Sequence, residues 1–100
     1  MSFVCLIEIH LHFPENGSLK GKRKELLALK AQLQRRFGAS VAETEYHDLW
    51  QRATVTAALV GRTASVVDDA GAKLERYVES QFPDGVRVER ALISGEEVFS

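Results

Sequence analysis

Phe3-Val4-Cys5-Leu6-Ile7-Glu8-Ile9-His10-Leu11-His12-Phe13, running into Pro14-Glu15-Asn16-Gly17-Ser18, is the stretch whose reading decides the fold. Phe3, Cys5, Ile7, Ile9, Leu11 and Phe13 share one side of an extended chain, and Val4, Leu6, Glu8, His10 and His12 share the other. That alternation is a half-buried strand. Pro14 to Gly17 is turn chemistry, and Ser18 is a good N-cap for a following helix.

Leu19, Leu26, Leu29, Leu33 and Phe37 then recur near the helical period as one apolar stripe, and Gly38 stops the helix in the left-handed conformation a glycine takes freely. Val41 to Tyr46 reads as a short second strand. Ala53 to Val60 reads as a third, with Val55, Ala57 and Leu59 alternating against Thr54, Thr56 and Ala58, and a loop of His47 to Gln51 joins the two. Thr63 or Ser65 caps a second helix whose first turn is expected to carry Asp68 and Asp69. Its buried stripe is Val67, Ala70, Leu74, Tyr77 or Val78, and Phe82. Gly71 in mid-helix costs about 1 kcal/mol relative to alanine, which marks a close approach to the sheet. Pro83-Asp84-Gly85 ends that helix and Val86 to Ile93 is a fourth strand.

The order is βαββαβ, an α+β chain with a four-stranded antiparallel sheet and both helices on one face, the ferredoxin-like sandwich. The other sheet face is left open, bearing Glu8, His10 and His12. A chain of 100 residues, 45% hydrophobic, is expected to be a single domain over 1–100. Cys5 is the only cysteine, which excludes a disulfide framework and fits a reducing compartment. Phe3 to Ile9 is too short to span a membrane and lacks a basic leader, so a cytoplasmic protein is expected.

The net charge of −1 hides an asymmetry. Residues 1–62 hold nine Lys/Arg against six Asp/Glu, and residues 63–100 hold four against eight. Between Lys20 and Arg36 stand Lys20, Lys22, Arg23, Lys24, Lys30, Arg35 and Arg36 against Glu25 alone. Lys20, Lys24 and Arg35 fall opposite the apolar stripe. Lys22, Lys30 and Arg36 are expected along its flanks, stems on apolar surface and charges in water. Such a helix attracts phosphates, although the same pattern also describes a solvated face or a surface for an acidic partner.

Ser18-Leu19-Lys20 with Lys22-Arg23 after the first strand, then Ser40-Val41-Ala42-Glu43 leading into His47-Asp48-Leu49-Trp50-Gln51-Arg52-Ala53, resembles the small bacterial YlxP-like family over nearly the whole chain. Gly21 departs from it, since such sequences commonly carry Glu there, as the acid of a capping box. The family has no established activity, so the resemblance carries over no catalytic residue. Its members look like neighbours of transcription-elongation and translation genes, including those for ribosome-binding factor A and initiation factor 2. The implied role is non-enzymatic, near ribosome assembly or translation, with ribosomal RNA or a ribosome assembly intermediate as partner.

Lys20, Lys22, Arg23, Lys24, Lys30, Arg35, Arg36, Trp50 and Arg52 are the candidate binding residues. Packing over the sheet edge is the default for the lone Trp50, with base stacking or anchoring of a second subunit as the functional reading. If the chain is already extended there, Trp50, Arg52, Thr54 and Thr56 point to the open face. Glu8, His10 and His12 would need His47 or Glu45 to complete a metal site, and none is expected. No cofactor is expected either. Enzyme readings fare poorly. A P-loop is missing, Cys5 has core parity, and the arginine-bearing glycine loop of acylphosphatases, which share this fold, is not present. The open-face positions of the first and third strands are Glu, His and Thr, which disfavours stacking in the manner of an RNA-recognition motif. The alternative to an RNA role is a homo-oligomer, a homodimer for instance, through the open face bearing Val4, Leu6 and Trp50. Neither a membrane nor DNA is an expected partner.

Overall fold

The computed structural model describes residues 1–15 and 17–100, so the Asn16 position of the first turn lies outside the described residues. The elements are β1 (Phe3–His12), α1 (Leu19–Phe37), β2 (Ser40–Glu45), β3 (Arg52–Gly61), α2 (Ala64–Gln81), β4 (Val86–Ser94) and α3 (Gly95–Phe99). The sheet order is β2-β3-β1-β4 and every pairing is antiparallel. This is the ferredoxin-like topology that the βαββαβ order predicts.

Strand parity explains the layers. Cys5, Ile7, Ile9 and Leu11 pair across β1 and β3 with Leu59, Ala57, Val55 and Ala53, and all eight are buried on the helix side. Leu26, Leu29 and Leu33 of α1 and Val67, Leu74 and Val78 of α2 complete one apolar cluster. Phe13 meets Phe82 edge-on at 5.9 Å between ring centroids, closing the end of the core beyond β1. Among the described residues no helix is long and apolar enough to cross a membrane.

The helix ends follow their caps. Ser18 accepts a hydrogen bond from the Gly21 amide at 3.0 Å. Gly38 sits at φ 65°, its amide donating to the Gln34 carbonyl at 3.0 Å while Ala39 donates to Leu33 at 3.4 Å. That is the left-handed ending expected of a glycine there. The start of α2 differs from expectation. Thr63 is the N-cap without a side-chain hydrogen bond, and the helix begins at Ala64, so Asp68 and Asp69 lie beyond the first turn, which holds no acid. Their contribution is instead lateral, as Asp68 pairs with Arg90 at 2.7 Å.

Two further differences lie at strand ends. A register shift between Glu43 and Glu45 puts an extra residue into β2. Glu43 pairs with Val55 on the helix side, whereas Glu45 pairs with Thr54 on the open side. Beyond β4, a short α3 follows that the strand and helix patterns of the sequence do not predict. Its first amide, Gly95, bonds the Ser2 carbonyl at 2.9 Å, which turns the chain back over the start of β1.

Candidate nucleic-acid interface

The basic residues of α1 divide into three groups according to where the helix turns them. Lys20, Arg23, Lys24 and Arg35 are exposed and Lys30 is half-buried. Among the described residues none of these five takes part in an ion pair. Glu25, the one acid of the helix, lines the groove between α1 and α2 with Phe82 and Gln81, away from the outer face. The first turn holds no acid, since Gly21 stands where a capping-box glutamate would. The outer face therefore presents positive charge with no internal neutralisation.

Arg36 forms the second group. Its guanidinium carbon lies 4.6 Å from the centroid of Tyr77, and its Nε donates to Gln32 Oε1 at 3.0 Å, so it is held toward α2 while remaining exposed. Lys22 is the third and corrects the expectation. Instead of sitting on a flank with its charge in water, it is completely buried. Its Nζ donates to the Tyr46 carbonyl at 2.7 Å and the Arg52 carbonyl at 3.0 Å, and lies 3.1 Å from Glu43 Oε2. The phase of α1 explains this, because positions 22, 26, 29 and 33 fall on one stripe. The spacing to Leu26 was the available signal. Lysine chemistry overrode it.

Glu43 completes a small polar core. Its Oε2 is buried and makes no formal hydrogen bond, meeting Lys22 as an ion pair only, while its Oε1 lies 3.3 Å from His47 Nδ1. The alternation of β2 puts Glu43 on the helix side together with Val41, which is the sequence signal for its burial.

Lys22 thereby grips both ends of the loop between β2 and β3. Tyr46, at one end, adopts φ 66°, the only non-glycine residue with positive φ among those described. Arg52, at the other, stacks over the Tyr46 ring at 4.4 Å and approaches its hydroxyl at 3.5 Å. The Gln51 carbonyl accepts from the Phe13 amide at 2.8 Å, and the Tyr46 carbonyl also accepts from the Leu49 amide at 3.1 Å. Trp50 is 48% exposed and Leu49 46% exposed, so each keeps about half of its surface covered and half open to solvent. β3 begins at Arg52, so the strand parity invoked for Trp50 does not reach it.

The open face carries a separate polar group. His10 Nδ1 is 3.2 Å from Thr54 Oγ1 and its Nε2 3.1 Å from Glu89 Oε1, which also accepts from Arg87 at 2.7 Å. Arg87, followed by His10, holds the Glu89 carboxyl below its ordinary range. Glu8, His10 and Glu89 offer ligand atoms within 4.8 Å of one another. The third donor comes from β4. His12, His47 and Glu45 are not part of the group. On the helix side, burial pushes the Cys5 thiol pKa up, and the side chain is closed off from solvent.

Among curated proteins none matches the chain. The solved structure of a de novo designed protein, Foldit4, superimposes with a TM-score of 0.61 at 10% identity, covering 94% of this chain and 98% of the design. At that identity the likeness concerns the fold alone. The model of the family described as "Protein of unknown function (DUF503)" matches residues 4–90.

Proposed function

The chain belongs to the DUF503 family, in line with its YlxP-like resemblance, and from that premise we propose that it is a non-enzymatic, cytoplasmic factor that associates with ribosomal RNA through the outer face of α1. One observation carries this reading. Lys20, Arg23, Lys24, Lys30 and Arg35 stand along one helix with no ion-pair partner among the described residues; Arg62, Lys73 and Arg76 are also without one, but α1 alone gathers five such cations. Unneutralised cations in a row bind phosphates by displacing condensed counterions, which gives affinity without base specificity. A folded RNA recognised by its backbone shape suits such a surface. The resemblance adds the translation-linked gene neighbourhood.

Co-sedimentation with ribosomal subunits at graded salt tests the reading. Binding is expected at low salt and falls steadily as salt rises. Lys20→Glu/Lys24→Glu/Arg35→Glu is expected to lose about tenfold or more in affinity, with a shallower salt slope. Absence of low-salt binding, or indifference to the triple substitution, would sink it.

A homo-oligomer through the open sheet face is the second reading, and its support is the uneven chemistry of that face. Leu6 and Val60 are exposed at one end beside Val4, Ala58 and Ala91, while the charged group around His10 occupies the other. An apolar patch of this kind fits a second copy better than a polyanion. Light scattering is expected to give a dimer mass, lowered by Leu6→Glu. A strict monomer at high concentration excludes this reading and leaves the first intact.

A further inference from the structure

The alternation of β1 sends Glu8 and His10 to the sheet face opposite the helices, and the register with β4 sets Glu89 directly across from Glu8. Two carboxylates facing each other across antiparallel strands repel, so the pair calls for a cation. Glu89 has one in Arg87, whose Nη1 donates to Glu89 Oε1 at 2.7 Å. Glu8 takes part in no ion pair among the described residues.

His10 calls for a cation independently. Only 24% of its side chain is exposed, so its neighbours fix the orientation of the ring. Thr54 is buried, and when it gives its single hydroxyl proton to Glu45 Oε2 at 3.5 Å, the same oxygen accepts from His10 Nδ1 at 3.2 Å. The Nε2 of a neutral ring is then left without a proton, and it faces Glu89 Oε1 at 3.1 Å. Two acceptors that close need a positive charge between them, either a second proton on the ring or a metal ion.

The geometry suits a metal. Tetrahedral ligands bound at about 2.0–2.2 Å stand roughly 3.3–3.6 Å apart, and His10 Nε2 and Glu89 Oε1 are already near that separation. All three ligand atoms lie within 4.8 Å of one another, and rotation of the exposed Glu8 side chain closes the remaining gap. A histidine that binds metal through one nitrogen almost always has the other held by a hydrogen bond, the part Thr54 plays here. One imidazole with two carboxylates suits zinc, whereas magnesium and calcium favour oxygen donors throughout.

We propose that Glu8, His10 and Glu89 form a site for a divalent cation of the zinc type, with Thr54 as the positioning residue that fixes the imidazole. All three donors rise from the sheet, so the fourth coordination position is turned to solvent. Arg87 competes with the metal, because it holds the same Glu89 oxygen. The site uses the face opposite α1 and stands apart from the RNA reading.

Calorimetric titration of the full chain with zinc chloride is expected to show one ion per chain, with much weaker binding of magnesium and calcium. His10→Ala and Thr54→Val should each weaken zinc binding about tenfold or more, the second through loss of the partner of Nδ1. Glu8→Gln, an exposed change that leaves the fold intact by circular dichroism, should weaken it as well. Arg87→Gln should tighten it several-fold, while His12→Gln and His47→Gln leave it unchanged. Absence of zinc binding by the wild type overturns the site and assigns the charge between His10 and Glu89 to a proton. Wild-type affinity in both Glu8→Gln and His10→Ala, or loss of binding in His47→Gln, overturns it by placing the ion elsewhere.

Discussion

Lys22→Met lowers folding stability by about 3–5 kcal/mol, a large share of what a domain of this size possesses. Methionine retains most of the stem that packs beside Leu26, so little of the loss comes from packing. What disappears is the ammonium group that serves Tyr46, Arg52 and Glu43 simultaneously. Two carbonyls then lack this donor, and the buried Glu43 Oε2 keeps its charge without the cation opposite it. The penalty for stranding a buried group exceeds the net worth of the contact it lost. Adding Glu43→Gln to Lys22→Met should recover part of the loss, because the stranded charge is gone while the amide still reaches His47. Urea denaturation of the four proteins in this cycle gives the coupling, expected to exceed about 1 kcal/mol. A loss below that size in the single variant would mean that the loop stands without its clasp.

Lys22 also marks where sequence reading runs out. The alternation from Phe3 to Phe13 and the caps at Ser18 and Gly38 are local, so β1 and α1 were legible almost residue by residue. β2 and β3 shifted only at their ends, where the extra residue near Thr44 and the left-handed Tyr46 depend on contacts with α1 that no short window contains. The site was legible as composition but not as pairing. Seven basic residues were plain on α1, yet which of them face solvent is a matter of helix phase, and lysine is assigned to the surface by default. The parity that would turn Trp50 to the open face belongs to a strand that begins only at Arg52. Glu89 was not foreseen as the partner of His10, since only the β1–β4 register brings them together. Charges held across strands are written in the topology, and the sequence records them only after the topology is known.

Gly71→Ala shows the same dependence in the core and should destabilise the fold by about 1–3 kcal/mol, against helix propensity, which favours alanine by about 1 kcal/mol. Gly71 is buried in the middle of α2, facing β1. A Cβ there would stand 2.5 Å from Cys5 Sγ and 3.1 Å from Arg90 Cδ. Arg90 lies across the helix at this point, its guanidinium held by Asp68 at 2.7 Å and Glu75 at 3.2 Å, one on each side of Gly71. The arginine stem is flexible and can yield by a few tenths of an ångström. Cys5 cannot yield so easily, being fully buried in a strand paired on both edges. The clash with sulfur therefore decides the sign, and removing the sulfur should reverse it. Cys5→Ala leaves its own Cβ at 3.6 Å from the new methyl group, an ordinary contact. In that background Gly71→Ala is expected to stabilise by several tenths of a kcal/mol to about 1 kcal/mol, the propensity gain alone. Thermal or urea unfolding of wild type, both single variants and the double variant measures the reversal. Destabilisation of equal size in both backgrounds would place the obstacle at Arg90, and stabilisation in the wild-type background would mean that α2 can lift from the sheet at no cost.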